Sequence, residues 1–190
     1  MHDPDTDPRP LSALTIAGSD SGGGAGIQAD LKTFAAHGVH GLSALAALTA
    51  QHTRGVTAVH VPPADFLDAQ IDACFEDFRI GAVKLGMLAS REVIDTVARA
   101  LERHRPAHVV VDPVMVATSG ARLLEADALD ALRTRLLPLA TVITPNRGEL
   151  AQVVGAWSSE AQLVERAQAL RSRLRVPALP VRSPATPGRS

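Results

Sequence analysis

The chain has 190 residues, 46% of them hydrophobic and 21% charged, with a formal net charge of −1. Such a length suits one domain of about 100–200 residues that buries about 70% of its unfolded surface, and the composition excludes a disordered chain, a coiled coil and a collagen-like fibre. Near-neutral charge, with 3% aromatics and no Tyr, removes the electrostatic case for nucleic acid or an anionic membrane and the case for a base-stacking platform.

Residues 1–10 are acidic and Pro-rich and read as a leader without structure. They lack the charged-then-apolar pattern of a signal peptide, and no apolar run of about 18 residues follows that could span a membrane. The lone Cys74 allows no intrachain disulfide framework and no Cys-based zinc site. Together these features predict a cytoplasmic protein with no membrane partner.

The predicted elements then alternate along the chain. Ala13 to Ala17 is a short apolar run that reads as a buried strand, and Ile27, Leu31, Phe34 and Ala35 recur at helical spacing until His37-Gly38 stops them. Ser43 to Thr49 and Thr57 to Val61 read as strands. Pro62-Pro63 open a helix with a core face of Leu67, Ile71, Cys74, Phe75 and Phe78. Ala82 to Leu85 is a strand, and Ser90 caps a helix carrying Val93, Ile94, Val97 and Leu101. His108 to Val111 is a β-branched strand closed by Asp112-Pro113. Leu129, Leu132 and Leu136 mark a further helix before the strand Thr141 to Ile143, and Ser159 with Gln162 resembles a capping box opening the last helix.

Strands alternating with helices of 10–15 residues or so predict right-handed βαβ units and a mostly parallel sheet. In such sheets ligands lie beyond the carboxyl ends of the strands. Five polar or glycine-bearing clusters fall there: Ser19 to Ser21, Gln51 to Thr53, Gly86-Met87, Asp112-Pro113 and Asn146 to Glu149. From Pro177 to Ser190 prolines interrupt the rhythm, acids are absent and arginines recur, which predicts a disordered tail after a domain spanning 11–176.

Each candidate has a plain structural explanation beside the chemical one. The glycine run Gly18 to Gly26 allows positive φ and close backbone approach, and the helix after it favours anions; a tight turn alone would also explain it. It is not a Walker A loop, since no Gly-Lys-Ser/Thr follows, and the acid expected about 20 residues after a dinucleotide fingerprint is missing. Asp30 is either a first-turn acid or a ligand group. Gln51 offers a donor and an acceptor to a heteroaromatic ring, or belongs to a turn. Lys84, one of two lysines with Lys32, is either paired structurally or touches an anion. Asn146 and Glu149 are either an N-cap with its first-turn acid or two groups facing one pocket. The histidines form no ligand pair, and Cys74 reads as an inert core thiol.

In this order and spacing, AGSDSGGGAGIQADLKTF, TAQHTRGV, VKLGM, VDPVMVATSG and TPNRGE resemble the hydroxymethylpyrimidine/phosphomethylpyrimidine kinases of thiamine biosynthesis, in the ribokinase-like superfamily. The resemblance covers residues 12–176. It implies an α/β, ribokinase-like doubly wound sheet flanked by helices, and ATP-dependent phosphorylation of 4-amino-5-hydroxymethyl-2-methylpyrimidine and then of its monophosphate. By the same resemblance Gly18, Asp30, Gln51 and Met87 bind the pyrimidine, and Lys84, Asp112, Asn146 and Glu149 serve ATP and its phosphates. Asp112 and Glu149 would face Mg²⁺, partly through water, and a homodimer is expected. The family continues through a Lys-Gly-Gly strand and a Gly-Thr-Gly-Cys loop that carries the catalytic cysteine; neither motif occurs here. The expectation is therefore a member missing its C-terminal part, with no catalytic cysteine loop, a negligible kinase rate and an association-prone uncovered face. A pyridoxal kinase-like enzyme and a noncatalytic pyrimidine-binding remnant are the alternatives.

Overall fold

The computed structural model describes residues 9–116, 123–125, 127–174 and 176–182. Six strands form one sheet in the order β3-β2-β1-β4-β5-β6. They are β1 (Ser12–Asp20), β2 (His40–His52), β3 (Gly55–His60), β4 (Ile80–Leu85), β5 (His108–Val111) and β6 (Val142–Ile143). All neighbours run parallel except β3, which pairs antiparallel with β2. The chain builds outward from β1 to β3, then returns to place β4 on the other side of β1. That reversal leaves a crevice beyond the carboxyl ends of β1 and β4, the usual ligand position in such sheets.

The helices are α1 (Gly26–Ala36), α2 (Ala64–Asp77), α3 (Arg91–His104), α4 (Ala128–Ala131), α5 (Arg147–Val154) and α6 (Glu160–Leu174). No described helix is long and apolar enough to cross a membrane. Local chemistry sets several ends. Gly38, at φ +70°, follows α1 in the left-handed region, and the Ser90 hydroxyl accepts the Val93 N–H at 3.3 Å to cap α3.

β1 is buried along nearly its whole length, as a central parallel strand must be. Leu14 and Ile16 are fully buried, each worth about 1.5–3 kcal/mol of burial. With Val83 and Leu85 of β4 and Val109 and Val111 of β5 they form the main core, closed by α2, α3 and the residues after Leu124. Only Ile27 of α1 is buried, so the sheet's thicker cover lies with α2 and α3.

Three expectations change. Leu129, Leu132 and Leu136 do not lie on one regular α-helix: α4 gives way to a π-turn at Leu132–Leu136 and a 3₁₀ turn at Leu137–Leu139. Leucines three and four apart cannot distinguish these windings, and Pro138 ends the regular hydrogen bonding. Ser159 accepts the Gln162 N–H at 3.2 Å, but Gln162 reaches the Ser158 N–H at 2.7 Å instead of completing the box on Ser159. The third change concerns the tail predicted from Pro177. Residues 177–182 run parallel beside β6, with bridges Val142 to Ala178 and Asn146 to Arg182. Val176 is buried, and Leu179 and Val181 pack on the core. Pro180 is compatible with this because the segment is an edge, where a missing N–H costs no ladder bond. Positions 183–190 of that tail, and 1–8 of the predicted leader, lie outside the described residues.

α2 and α3 are joined by charge. Asp72 Oδ1 lies 2.5 Å from Arg103 Nη2 and 2.6 Å from His104 Nε2, and the His104 ring stacks on Phe75 at 4.2 Å. Arg103, and then His104, hold the Asp72 carboxyl below its ordinary pKa. A depressed carboxyl stabilises the fold above its unfolded pKa, and that contribution disappears as pH falls through the folded value. Asp72→Asn is therefore expected to lower stability at pH 7 by about 1 kcal/mol or less. In urea titrations repeated at decreasing pH, the gap from the wild type closes below the ordinary carboxylate range.

Candidate active site

The glycine-rich turn after β1 is organised by a carboxylate. Asp20 is 6% exposed and accepts the N–H groups of Gly22 at 2.8 Å, Gly24 at 3.0 Å and Ala25 at 2.9 Å. Gly26, at φ +56°, comes so close to Gly18 that a Cβ there would sit 2.2 Å from the Gly18 carbonyl oxygen. A glycine turn leading into a helix is ordinarily an anion nest. Here the protein's own carboxylate takes three of its donors, so the turn shapes a wall instead of cradling phosphate. Gln28 braces it from α1: its Oε1 accepts the Asp20 N–H at 2.8 Å and its Nε2 donates to Ser19 Oγ at 2.7 Å.

Gln51, at the end of β2, is tied to the same turn. Its N–H donates to Ser21 Oγ, and the Ser21 hydroxyl donates to the Gln51 carbonyl, both at 2.8 Å. Its side-chain Oε1 lies 3.0 Å from Thr49 Oγ1. That contact orients the amide and leaves its N–H₂ directed away from Thr49. At Gly18 the β1–β2 register slips by one residue, and a Cβ there would stand 3.1 Å from Met87 Sδ. Met87 is buried with Ala47 and Ala89. Gly18 and Met87 thus form one apolar floor between β1 and the end of β4.

Asp30 and Lys84, separated in the sequence reading between ring and phosphate, meet as a pair. Lys84 Nζ lies 2.9 Å from Asp30 Oδ2, which also accepts the Thr15 hydroxyl at 2.6 Å. Thr15 and Lys84 are register neighbours on β1 and β4. This supports the structural explanation for Lys84 and shows that α1 delivers Asp30 over β1.

Beyond β5 and β6 lies a second acidic pair. Asp112 follows β5, its N–H held by the Leu85 carbonyl at 3.0 Å. Asn146 and Glu149 form a full capping box on α5: Asn146 Oδ1 accepts the Glu149 N–H at 2.9 Å, and Glu149 Oε2 accepts the Asn146 N–H at 2.7 Å. Capping turns the buried Glu149 carboxylate back toward Asn146 at the end of β6. Arg182 reaches both acids, with Nη2 2.5 Å from Asp112 Oδ1 and 3.8 Å from Glu149 Oε2.

Burial raises the Asp112 pKa, opposed by Arg182 and Lys84 and assisted by Asp30. Burial likewise raises that of Glu149; the Asn146 N–H opposes it, Asp112 adds to it and Arg182 offsets part of it. Such mutual influence places Asp30, Lys84, Asp112, Glu149 and Arg182 within one field. All eight residues predicted for the site fall at the carboxyl ends of the strands or on the helices that follow them. Sequence reasoning placed Asp20 and Ser21 in a strand-end cluster without giving them a role, and it missed Thr15 and Arg182. An Asp followed by glycines after a strand was the available signal for Asp20; none marked Arg182. A groove of about 870 Å³ along the starts of α2 and α3 shares no residue with this cluster. Its Asp65, Glu92, Asp95, Glu125 and Asp127, against Arg91, make it unsuited to a polyphosphate.

Among the described residues no group of three or more His, Cys, Asp or Glu is arranged to hold a metal. The Asp112–Glu149 pair fits Mg²⁺ nevertheless, since that ion commonly takes one or two carboxylates and completes its shell with water and phosphate oxygens. The Arg182 guanidinium between the two acids shows that a cation is accommodated there. Two variants test the division of labour. Asp20→Ala removes the acceptor that holds three turn N–H groups and is expected to destabilise by about 1–3 kcal/mol. Asp112→Asn removes a desolvated charge and is expected to raise the melting temperature at pH 7. Both are read by calorimetric or circular-dichroism melting.

Residues 20–182 match the family described as Phosphomethylpyrimidine kinase. The chain is 55% identical over 160 residues to the hydroxymethylpyrimidine/phosphomethylpyrimidine kinase of Rhizobium meliloti (strain 1021), covering 83% of this chain and 60% of that relative. It thus spans about three fifths of that relative's length. Phosphomethylpyrimidine kinase from Clostridium difficile 630 superposes with a TM-score of 0.80 at 44% identity, over 86% of this chain and 71% of the other. An ADP complex of Bacillus subtilis pyridoxal kinase gives 0.76 at 36%, over 88% and 64%. With the resemblance and the strand-tip site now joined by a family match over most of its residues, the chain belongs to the phosphomethylpyrimidine kinase family.

Proposed function

We propose that this chain forms the pyrimidine- and cation-binding part of an enzyme that phosphorylates 4-amino-5-hydroxymethyl-2-methylpyrimidine, and then its monophosphate, at the expense of ATP. The observation that carries this reading is the division of the strand tips. The Asp20-filled turn, Gly18, Met87 and Gln51 make a largely uncharged wall for a ring, while Asp112 and Glu149 supply negative charge for a metal-bound polyphosphate. The ring lies against Gly18 and Met87, and the Gln51 amide hydrogen-bonds to its nitrogen edge. Each such bond is worth about 0.5–1.5 kcal/mol, whereas a mismatched ring leaves buried groups unpaired at about 1–3 kcal/mol each. Asp30, held by Lys84 and Thr15, provides a fixed acceptor beside the ring. Mg²⁺ would be held by Asp112 and Glu149 and would neutralise phosphate charge during an in-line transfer. The capping box keeps Glu149 oriented for that task.

ATP as the phosphoryl donor is supported by the ADP complex of the pyridoxal kinase relative. The pyrimidine substrate is favoured over a pyridine alcohol by the higher identity to the pyrimidine kinases. A preorganised oxyanion donor contributes about 2.7–4 kcal/mol, and no Gly-Thr-Gly-Cys loop occurs in these residues. Calorimetry on this 190-residue chain is therefore expected to show pyrimidine binding without ATP, weakened about three- to tenfold by Gln51→Ala. No heat at millimolar pyrimidine overturns the binding assignment. A homodimer belongs to the same proposal, with the exposed Val59 of the edge strand β3 in its contact, and sedimentation as its check.

A further inference from the structure

Arg182 directs its polar contacts into the active-site end of the sheet. Its backbone N–H donates to the Pro145 carbonyl at 2.8 Å, and its Nε donates to the Thr144 carbonyl at 2.8 Å. Its Nη2 lies 2.5 Å from Asp112 Oδ1 and 3.8 Å from Glu149 Oε2. The two acids are the less exposed partners, at 18% and 7% of their side chains, against 49% for the arginine. The guanidinium therefore enters the site from solvent and covers carboxylates fixed by the fold.

A nitrogen this close to Asp112 Oδ1 blocks the approach of a divalent ion to the same oxygen, because Mg²⁺ binds carboxylate oxygens at about 2.0–2.1 Å. The charge balance also leaves a reason for exchange. One guanidinium against two carboxylates leaves a negative charge, which a dication would cancel. Lys84 and Asp30, the other charged groups bearing on Asp112, are already paired with each other. The segment that brings Arg182 is anchored on the core by Val176, Leu179 and Val181, but its backbone meets β6 and the loop after it through isolated bridges, with Ile143 N–H donating to the Ala178 carbonyl at 3.2 Å.

We infer that Arg182 is a built-in occupant of the cation position, so that its guanidinium and a divalent cation bind the Asp112–Glu149 pair in exclusive competition, and cation entry loosens the backbone bridges that hold residues 178–182 to the sheet edge. This rests on the reading of Asp112 and Glu149 as the cation pair. The competition sets the cation concentration at which the site becomes loaded, and it makes the edge segment a reporter of loading.

Mn²⁺ titration of the full chain, read from the paramagnetic resonance of the free ion, tests it without any turnover. Arg182→Gln is expected to bind Mn²⁺ about tenfold more tightly than the wild type, and adding Asp112→Asn is expected to abolish that gain. Equal or weaker binding by Arg182→Gln overturns the competition while leaving the cation pair standing. Tighter binding that survives Asp112→Asn overturns the pair itself. Should Arg182→Gln fail to fold, hydrogen exchange on the wild type decides. Mg²⁺ is expected to speed exchange of the Arg182 and Ile143 amides, and unchanged protection of both throughout the titration overturns the inference.

Discussion

A buried carboxylate must be hydrogen-bonded or neutralised, and Asp20 meets that requirement by drawing the N–H groups of Gly22, Gly24 and Ala25 onto itself. The consequence spreads outward. The turn closes tightly enough that Gly26 sits against the Gly18 carbonyl, α1 starts in register with β1, and Gln28 and Asp30 on its first turns face the strand tips. Ser21, carried by the same turn, fixes the end of β2 and with it Gln51. An anion nest filled by the protein's own acid has its donors already taken and offers little to a phosphate.

Charge runs along the strand tips from β1 toward β6 and alternates in sign. Asp30 pairs with Lys84, Lys84 bears on Asp112, and Asp112 and Glu149 share Arg182. Burial outweighs these favourable partners for both Asp112 and Glu149, since each has its pKa raised. The fold thus holds two desolvated acids at some cost in stability.

Much of this was legible along the chain. The strand–helix alternation, the cap at Ser90 and the polar clusters after each strand follow from local rules, because burial on both faces of a parallel strand demands an uninterrupted apolar run. Asn146 and Glu149 show where the reading had to stay divided. Capping and pocket-facing both suit an acid three residues after an N-cap, so spacing alone cannot separate them; the structure shows the capping box, with Arg182 beside the Glu149 carboxylate. The leucines at 129, 132 and 136 failed for a similar reason: their spacing is compatible with several windings, and the turn after them selects among these.

The sequence by itself determined the mostly parallel sheet, the order of its elements along the chain and the edge on which its polar clusters gather, since each rests on hydrophobic periodicity and turn chemistry within a few neighbouring residues. Only the tertiary structure decided that Asp30 and Lys84 are partners 54 positions apart, that Asp20 fills the glycine turn, and that Arg182 lies between Asp112 and Glu149. Those contacts depend on which strands become neighbours and how deeply each charge is buried. Neither is a property of any short stretch of chain, and a Pro-rich segment that looks unable to join a sheet acquires a place only once an open edge exists beside it.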